Sequence, residues 1–212
     1  MFTQALLPDT FRALQLAGSV KELSNSYLAG ETALALHLGH RISVDLDFFT
    51  DNKFDEKEIE FKLNQLDGFE SKSSAWQTIM GKIGKTTFSL FYYQYPLLEK
   101  TVEVEGVNLA SMEDIVAMKI EAIRGRGTRK DYTDLYFLAQ KYSWEKIFEL
   151  FEEKYGVLGD KLYEIIRTLG YLDDAENNTQ MPKMLIKTDW EEIKRFFVKE
   201  SNMLGKKYIL TL

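Results

Sequence analysis

The sequence predicts an α/β (α+β) fold with a sheet in its first half and an all-helical second half. Three observations carry that prediction. Residues 27 to 49 run strand, glycine turn, helix and alternating strand. Residues 69 to 107 hold Thr-, Phe-, Tyr- and Val-rich runs split by Gly81, Gly84, Pro96 and Gly106, the texture of three or four strands in an antiparallel or mixed sheet. From Ser111 almost to the end, the apolar residues recur with helical spacing. The boundary gives two expected domains, 1–110 and 111–212.

Each element has a local cause. Pro8 and Asp9 open a short helix (Phe11, Leu14, Leu16) that stops near Gly18, and a helical turn at Val20 to Leu23 leads into the apolar Tyr27-Leu28-Ala29. Gly30 turns the chain into a helix-forming stretch, Thr32 to Leu38, closed by Gly39. Ser43 to Phe49 alternates with period 2, setting Val44, Leu46 and Phe48 on an apolar face. Asp55 opens a charged helix through Leu66 that Asp67-Gly68 closes. In the second half, helices are expected over Ser111 to Ile123, Arg129 to Tyr142, Ser143 to Tyr155, Leu158 to Leu169 and Asp189 to Met203, with Ser111, Ser143 and Asp189 as N-caps.

Composition excludes several classes of function. With 33 acidic residues against 27 basic, a net charge of −6 argues against an extended grip on a polyanion. The absence of Cys removes disulfide frameworks, thiolate metal sites and thiol nucleophiles. With His37 and His40 the only histidines, a zinc site has too few ligands, and both are expected to serve local packing. No basic run precedes an apolar one near the N-terminus, and no apolar stretch reaches the ~18 residues of a membrane span. A cytoplasmic protein without membrane partners is the expectation.

The sharpest chemical feature is Asp45 and Asp47. On a strand, residues i and i+2 point the same way, with Cα atoms roughly 7 Å apart. Asp is a poor strand former, and two carboxylates on one face repel unless a cation lies between them. Hard oxygen ligands suit Mg²⁺ or Mn²⁺, the ions of phosphoryl-transfer sites, although two solvated carboxylates on an open sheet face give the same pattern. Upstream, Leu28-Ala29-Gly30-Glu31-Thr32 is a strand, a turn and a helix start, with Thr32 placed to cap and free N–H groups offered to an anion. His40-Arg41, at the turn before the Asp strand, is a further place where an anion could be touched. Lys119 sits in an apolar helical stripe between Ile115-Val116 and Ala122-Ile123, so its ammonium either snorkels or meets a carboxylate or phosphate. Arg124 to Lys130 concentrates four positive charges in seven residues, followed by Asp131 and Asp134 as ordering partners.

Taken together, LAGETALALHLGHRISVDLDFF (28–49) and MEDIVAMKIEAIRGRGTRKDYTDLYFL (112–138) resemble the AbiEii/AbiGii-type toxin family of the nucleotidyltransferase superfamily. The resemblance implies a minimal nucleotidyltransferase fold with a helical C-terminal part. It also implies Mg²⁺- or Mn²⁺-dependent transfer of a nucleotide from an NTP to a hydroxyl of RNA (a tRNA end) or protein, in a toxin–antitoxin or phage-defence setting with a cognate antitoxin. Carried over by position, Asp45 and Asp47 hold metal, Gly30 and Thr32 form the phosphate turn, and Lys119 lies near the nucleotide. Arg129, Lys130, Asp131 and Asp134 form the last motif, with Asp45, Asp47, Lys119 and Asp131 as its catalytic set.

Two positions depart from the family pattern. Glu31 replaces the second glycine of the turn and sets a carboxylate where phosphate approaches. Ser89 occupies the place of a third carboxylate, for which Glu103 or Glu105 could substitute from a neighbouring strand. These departures support a second reading, a nucleotidyltransferase-fold module that binds without catalysing. A third, an aspartyl phosphatase with Asp45 as nucleophile, is opposed by Phe48 at a position that needs glycine and by the lack of a following βαβ pattern.

Overall fold

The computed structural model describes residues 1–156, 158–177 and 181–209, apart from the side chains of Arg126 and Asp160. The chain forms two compact units, Met1–Met112 and Glu113–Leu212.

In the first unit, seven strands form one mixed sheet. They are β1 (Tyr27–Leu28), β2 (Asp45–Thr50), β3 (Phe69–Ala75), β4 (Thr78–Ile83), β5 (Thr86–Tyr92), β6 (Val102–Val104) and β7 (Val107–Leu109), in the order β3-β4-β5-β2-β1-β7-β6. The β2–β5 and β1–β7 pairs are parallel and the remaining pairs antiparallel. Helices α1 (Pro8–Gly18), α2 (Gly30–Leu38) and α3 (Glu56–Leu63) complete the unit. Helix α2 is apolar almost all round, and Ala33, Leu34, Ala35 and Leu36 are all fully buried, so it is an interior helix. It ends at Gly39, whose φ of +63° lets its N–H reach the Ala35 carbonyl at 2.8 Å. Asp55 caps α3 by accepting from the N–H groups of Lys57 and Glu58.

Strand β2 inserts Leu46 and Phe48 into the core beside Phe88 and Leu90 of β5. Val44 lies outside the strand and is 39% exposed, so the apolar face is Leu46, Phe48 and Thr50 rather than one that starts at Val44. Residues 69–109 hold five strands, more than the sequence suggested. Strand β3, Phe-Glu-Ser-Lys-Ser-Ser-Ala, is an edge strand with almost every residue exposed and a bulge between Ser71 and Ser73, so it carries no alternation to betray it.

The second unit contains α4 from Glu113 onward (the helix spans Met112–Arg126), α5 (Arg129–Ala139), α6 (Trp144–Tyr155), α7 (Gly159–Gly170), α8 (Asp173–Asn177) and α9 (Trp190–Tyr208). Helix α9 packs against α7 and α5. Tyr132 binds that interior by donating from its hydroxyl to the carbonyls of Thr168 (2.7 Å) and Tyr171 (3.0 Å), while its ring packs on Phe197. Ser143 and Asp189 cap α6 and α9. Lys154 and Asp114 form a wholly buried ion pair at 2.6 Å. Among the described residues, no helix is long and apolar enough to cross a membrane.

Candidate active site

In the first unit the site grows from the parallel pairing of β2 with β5, which sets Asp45 opposite Thr87, Asp47 opposite Ser89 and Phe49 opposite Phe91. Asp45, Asp47 and Phe49 share the half-exposed face of β2, while Leu46, Phe48 and Thr50 fill the buried one. The carboxylate pair is therefore fixed in register by the core behind it. The buried Ser89 hydroxyl donates to Asp47 Oδ1, and this hydrogen bond stabilises the ionised carboxylate.

The glycine turn reaches the same place. The Ala29 N–H bonds the Asp47 carbonyl at 3.1 Å, and Gly30, with φ of +66°, begins α2. A methyl group placed on Gly30 would lie 3.8 Å from Asp47 Oδ2, so the start of the helix and the carboxylate adjoin. Ala29, the N-cap, supplies no side-chain oxygen and makes no side-chain capping hydrogen bond to the start of α2. Thr32 does not cap the helix. It is buried in the first turn, where its hydroxyl bonds the Asp45 carbonyl and the Ser43 hydroxyl and ties α2 to β2.

Glu31 and Arg41 answer each other. Arg41, 1% exposed, holds Glu31 at 3.1 Å and also donates to the Ile42 carbonyl at 3.2 Å. Its guanidinium lies in the interior rather than open to a nucleotide, and it compensates the carboxylate that had looked hostile to phosphate. The sequence named both residues but not their pairing. The available signal was an acidic residue in a glycine turn with a lone Arg on the return from the same helix.

Glu103 and Glu105 do not replace Ser89. Glu103 is on β6, three strands from β2, and Glu105 sits in the β6–β7 turn, where it accepts from Gln15 at 2.8 Å. Among the described residues, no three His, Asp or Glu side chains converge into a metal-holding group. The donors at the site still suit a hard divalent cation: two acidic ligands on one face, with coordination left for phosphate oxygens and water. His37 bonds the Ala110 carbonyl at 2.8 Å and His40 is buried, so both belong to packing.

The last motif lies in the second unit. Lys119, nearly buried, binds Asp134 at 2.7 Å and Asp131 at 3.0 Å. Asp131 also forms a capping box with Thr128 at the start of α5. Burial raises the Asp131 carboxyl, but the Lys119 charge and the Thr128 hydrogen bonds together outweigh that and hold it below its ordinary range. Two of the four cations in this run are engaged within the helical unit. Arg124 binds Glu121 and Glu164, and Arg129 donates to the Ala175 carbonyl, pairs with Glu176 and lies 5.0 Å from the centre of the Trp190 ring. Lys130 is half-buried on the first turn of α5, and the Arg126 side chain lies outside the described residues.

A family model described as "Nucleotidyl transferase AbiEii toxin, Type IV TA system" matches residues 16–105 and 95–203. An uncharacterized protein of Aquifex aeolicus (strain VF5) is 34% identical over 191 residues, which is 87% of this chain and 90% of that protein. Among solved structures, a candidate nucleotidyltransferase from H. pylori superposes with a TM-score of 0.58 at 20% identity, covering 97% of this chain and 99% of its own. MenT4, a nucleotidyltransferase toxin from Mycobacterium tuberculosis H37Rv, gives 0.53 at 14% identity, covering 94% and 86%. These likenesses show a nucleotidyltransferase fold.

Proposed function

The chain belongs to the AbiEii nucleotidyl transferase toxin family, and from that premise we propose that it moves a nucleotide from an NTP to an acceptor hydroxyl, on an RNA end such as that of tRNA or on a protein. In this reading it is the cytoplasmic toxin of a pair whose antitoxin is a separate protein. The observation that carries the proposal is the adjacency of Gly30 to Asp47: the N-terminus of α2, a kind of site that attracts anions, meets a carboxylate pair that suits Mg²⁺ or Mn²⁺.

Asp45 and Asp47 would hold the metal, which supplies charge neutralisation on the triphosphate when bound. The first-turn N–H groups of α2 bind phosphate oxygens without a mobile side chain to reorganise. The acceptor oxygen attacks the α-phosphorus, its bond to the bridging oxygen breaks, and pyrophosphate leaves. The proton passes to Asp45 or to Asp47, whose Oδ1 is already engaged by Ser89. Thr32, Arg41 and Glu31 act one step back by fixing the turn against β2. In the second unit, Lys119, Asp131 and Asp134 lock the α4–α5 junction, because the ammonium already has two carboxylate partners.

The test is Mg²⁺-dependent NTP binding by the Asp45→Ala/Asp47→Ala double variant, measured by calorimetry. Loss of binding is expected, and binding equal to the unmutated chain would overturn the assignment. Ser89 favours the second reading, a module that binds a nucleotide, RNA or partner protein without catalysing. NTP binding with no labelled nucleotide transferred to RNA or protein, and transfer gained by Ser89→Asp, would establish that reading instead.

A further inference from the structure

The face that carries Asp45 and Asp47 continues into aromatic side chains that the proposed chemistry leaves unused. Phe49 is two residues beyond Asp47, about 7 Å along the strand. Its β5 neighbour Phe91 is 5.7 Å away between ring centres, its β1 neighbour Tyr27 stacks at 6.1 Å, and Tyr93 meets it edge-on at 5.5 Å, with Tyr95 a further 5.2 Å on. Tyr27 is buried and forms the back of this ledge, whereas Phe49, Phe91, Tyr93 and Tyr95 stay partly exposed. Of these rings only Tyr27 belongs to the buried core. The core is filled from the opposite face of the same strands by Leu46, Phe48, Phe88 and Leu90, all essentially inaccessible. A half-open face could be covered by Thr or Val, but here it presents neutral π surfaces beside the carboxylates.

Resting on the nucleotidyl-transfer reading above, we propose that Phe49, Phe91 and Tyr93 form a stacking ledge for a nucleobase whose phosphate lies at Asp45 and Asp47. A base is a flat, neutral ring tethered by a sugar to a phosphate, and the ledge lies about one such length from the carboxylates. Stacking is tolerant of base identity, so the ledge positions a nucleotide without selecting it. Two sources supply that chemistry: the incoming NTP, or the terminal nucleotide of an acceptor strand.

Fluorescence quenching of 2-aminopurine tests the ledge on the full chain with Mg²⁺. One probe is 2-aminopurine ribonucleoside triphosphate, and the other is a short single-stranded oligoribonucleotide ending 3′ in 2-aminopurine. Quenching of the first places the incoming base on the ledge, and quenching of the second alone places the acceptor base there. Phe49→Leu and Tyr93→Leu, which keep apolar bulk but lose the ring, are each expected to weaken the quenched complex about tenfold. Trp76→Leu, an exposed ring at the β3–β4 turn, is the unaffected control. If Phe49→Leu fails to fold, the partly exposed Tyr93 variant still decides.

Unchanged binding of both probes by the Leu variants would overturn the ledge. Self-association of the unmutated chain that those variants abolish would assign the surface to a second copy instead. Mg²⁺-tripolyphosphate, which has no base, separates this failure from that of the underlying reading. If it binds through Asp45 and Asp47 while the ledge variants change nothing, only the ledge is wrong. If it binds the Asp45→Ala/Asp47→Ala variant equally well, the phosphate site itself is wrong.

Discussion

Replacing Glu31 by Ala should destabilise the first unit far more than a surface charge would. The Arg41 guanidinium is 1% exposed and sits 3.1 Å from a carboxylate that is 21% exposed. Removing one partner of a fully buried pair costs about 3–5 kcal/mol, because the other charge is left in a poor solvent. Two features reduce that here: the Ile42 carbonyl still accepts from Arg41, and Glu31 already has some contact with water. A loss of about 2–3 kcal/mol is the expected result. Urea unfolding at neutral pH reads it, with Trp76 as the only tryptophan of this unit once Trp144 and Trp190 are replaced by Phe. Glu31→Gln should lose most of the same amount, and the Glu31→Gln/Arg41→Met double variant should lose less than the sum of its singles. A cost below about 0.5 kcal/mol, as for an exposed pair, would refute the argument that Arg41 needs Glu31.

Three other outcomes are expected. Ser89→Asp sets a third carboxylate beside Asp47, so its melting temperature in EDTA should fall below that of the unmutated chain and recover with Mg²⁺; no added Mg²⁺ response would speak against a cation site there. The folded Asp131 carboxyl is depressed, so its contribution to stability is complete above the unfolded value of about 4 and is lost as pH falls through its lower folded value. Asp131→Asn should therefore flatten the acid limb of the stability profile below about pH 4, read by urea midpoints against pH. Lys154→Met removes the cation from a wholly buried ion pair and should cost about 3–5 kcal/mol, most of it recovered in the Asp114→Leu/Lys154→Met double variant, again by urea midpoint.

What could be read from the sequence was whatever depends on neighbours within a few residues. The period of Asp-Leu-Asp-Phe-Phe revealed β2 and the shared side of its carboxylates, because alternation is a local property with one burial solution. Ser89 could be set against the Asp strand by eye, and the parallel register places it directly opposite Asp47. The three or four strands expected over 69–107 are five, and an exposed edge strand such as β3 adds to the number without an apolar face to mark it. The charges were misjudged for a different reason: a sequence shows a residue's sign but not its partner. Arg41 looked available and Glu31 obstructive, yet the two form an ion pair. Arg124 and Arg129 looked like one cationic arm, yet Glu164 and Glu176, 40 and 47 residues on, engage them within the helical unit. In the proposed function, phosphate in the first unit would be met by groups with no letter in the sequence, the main-chain N–H groups at the start of α2. A glycine at positive φ gives them close approach, and a buried salt bridge steadies them.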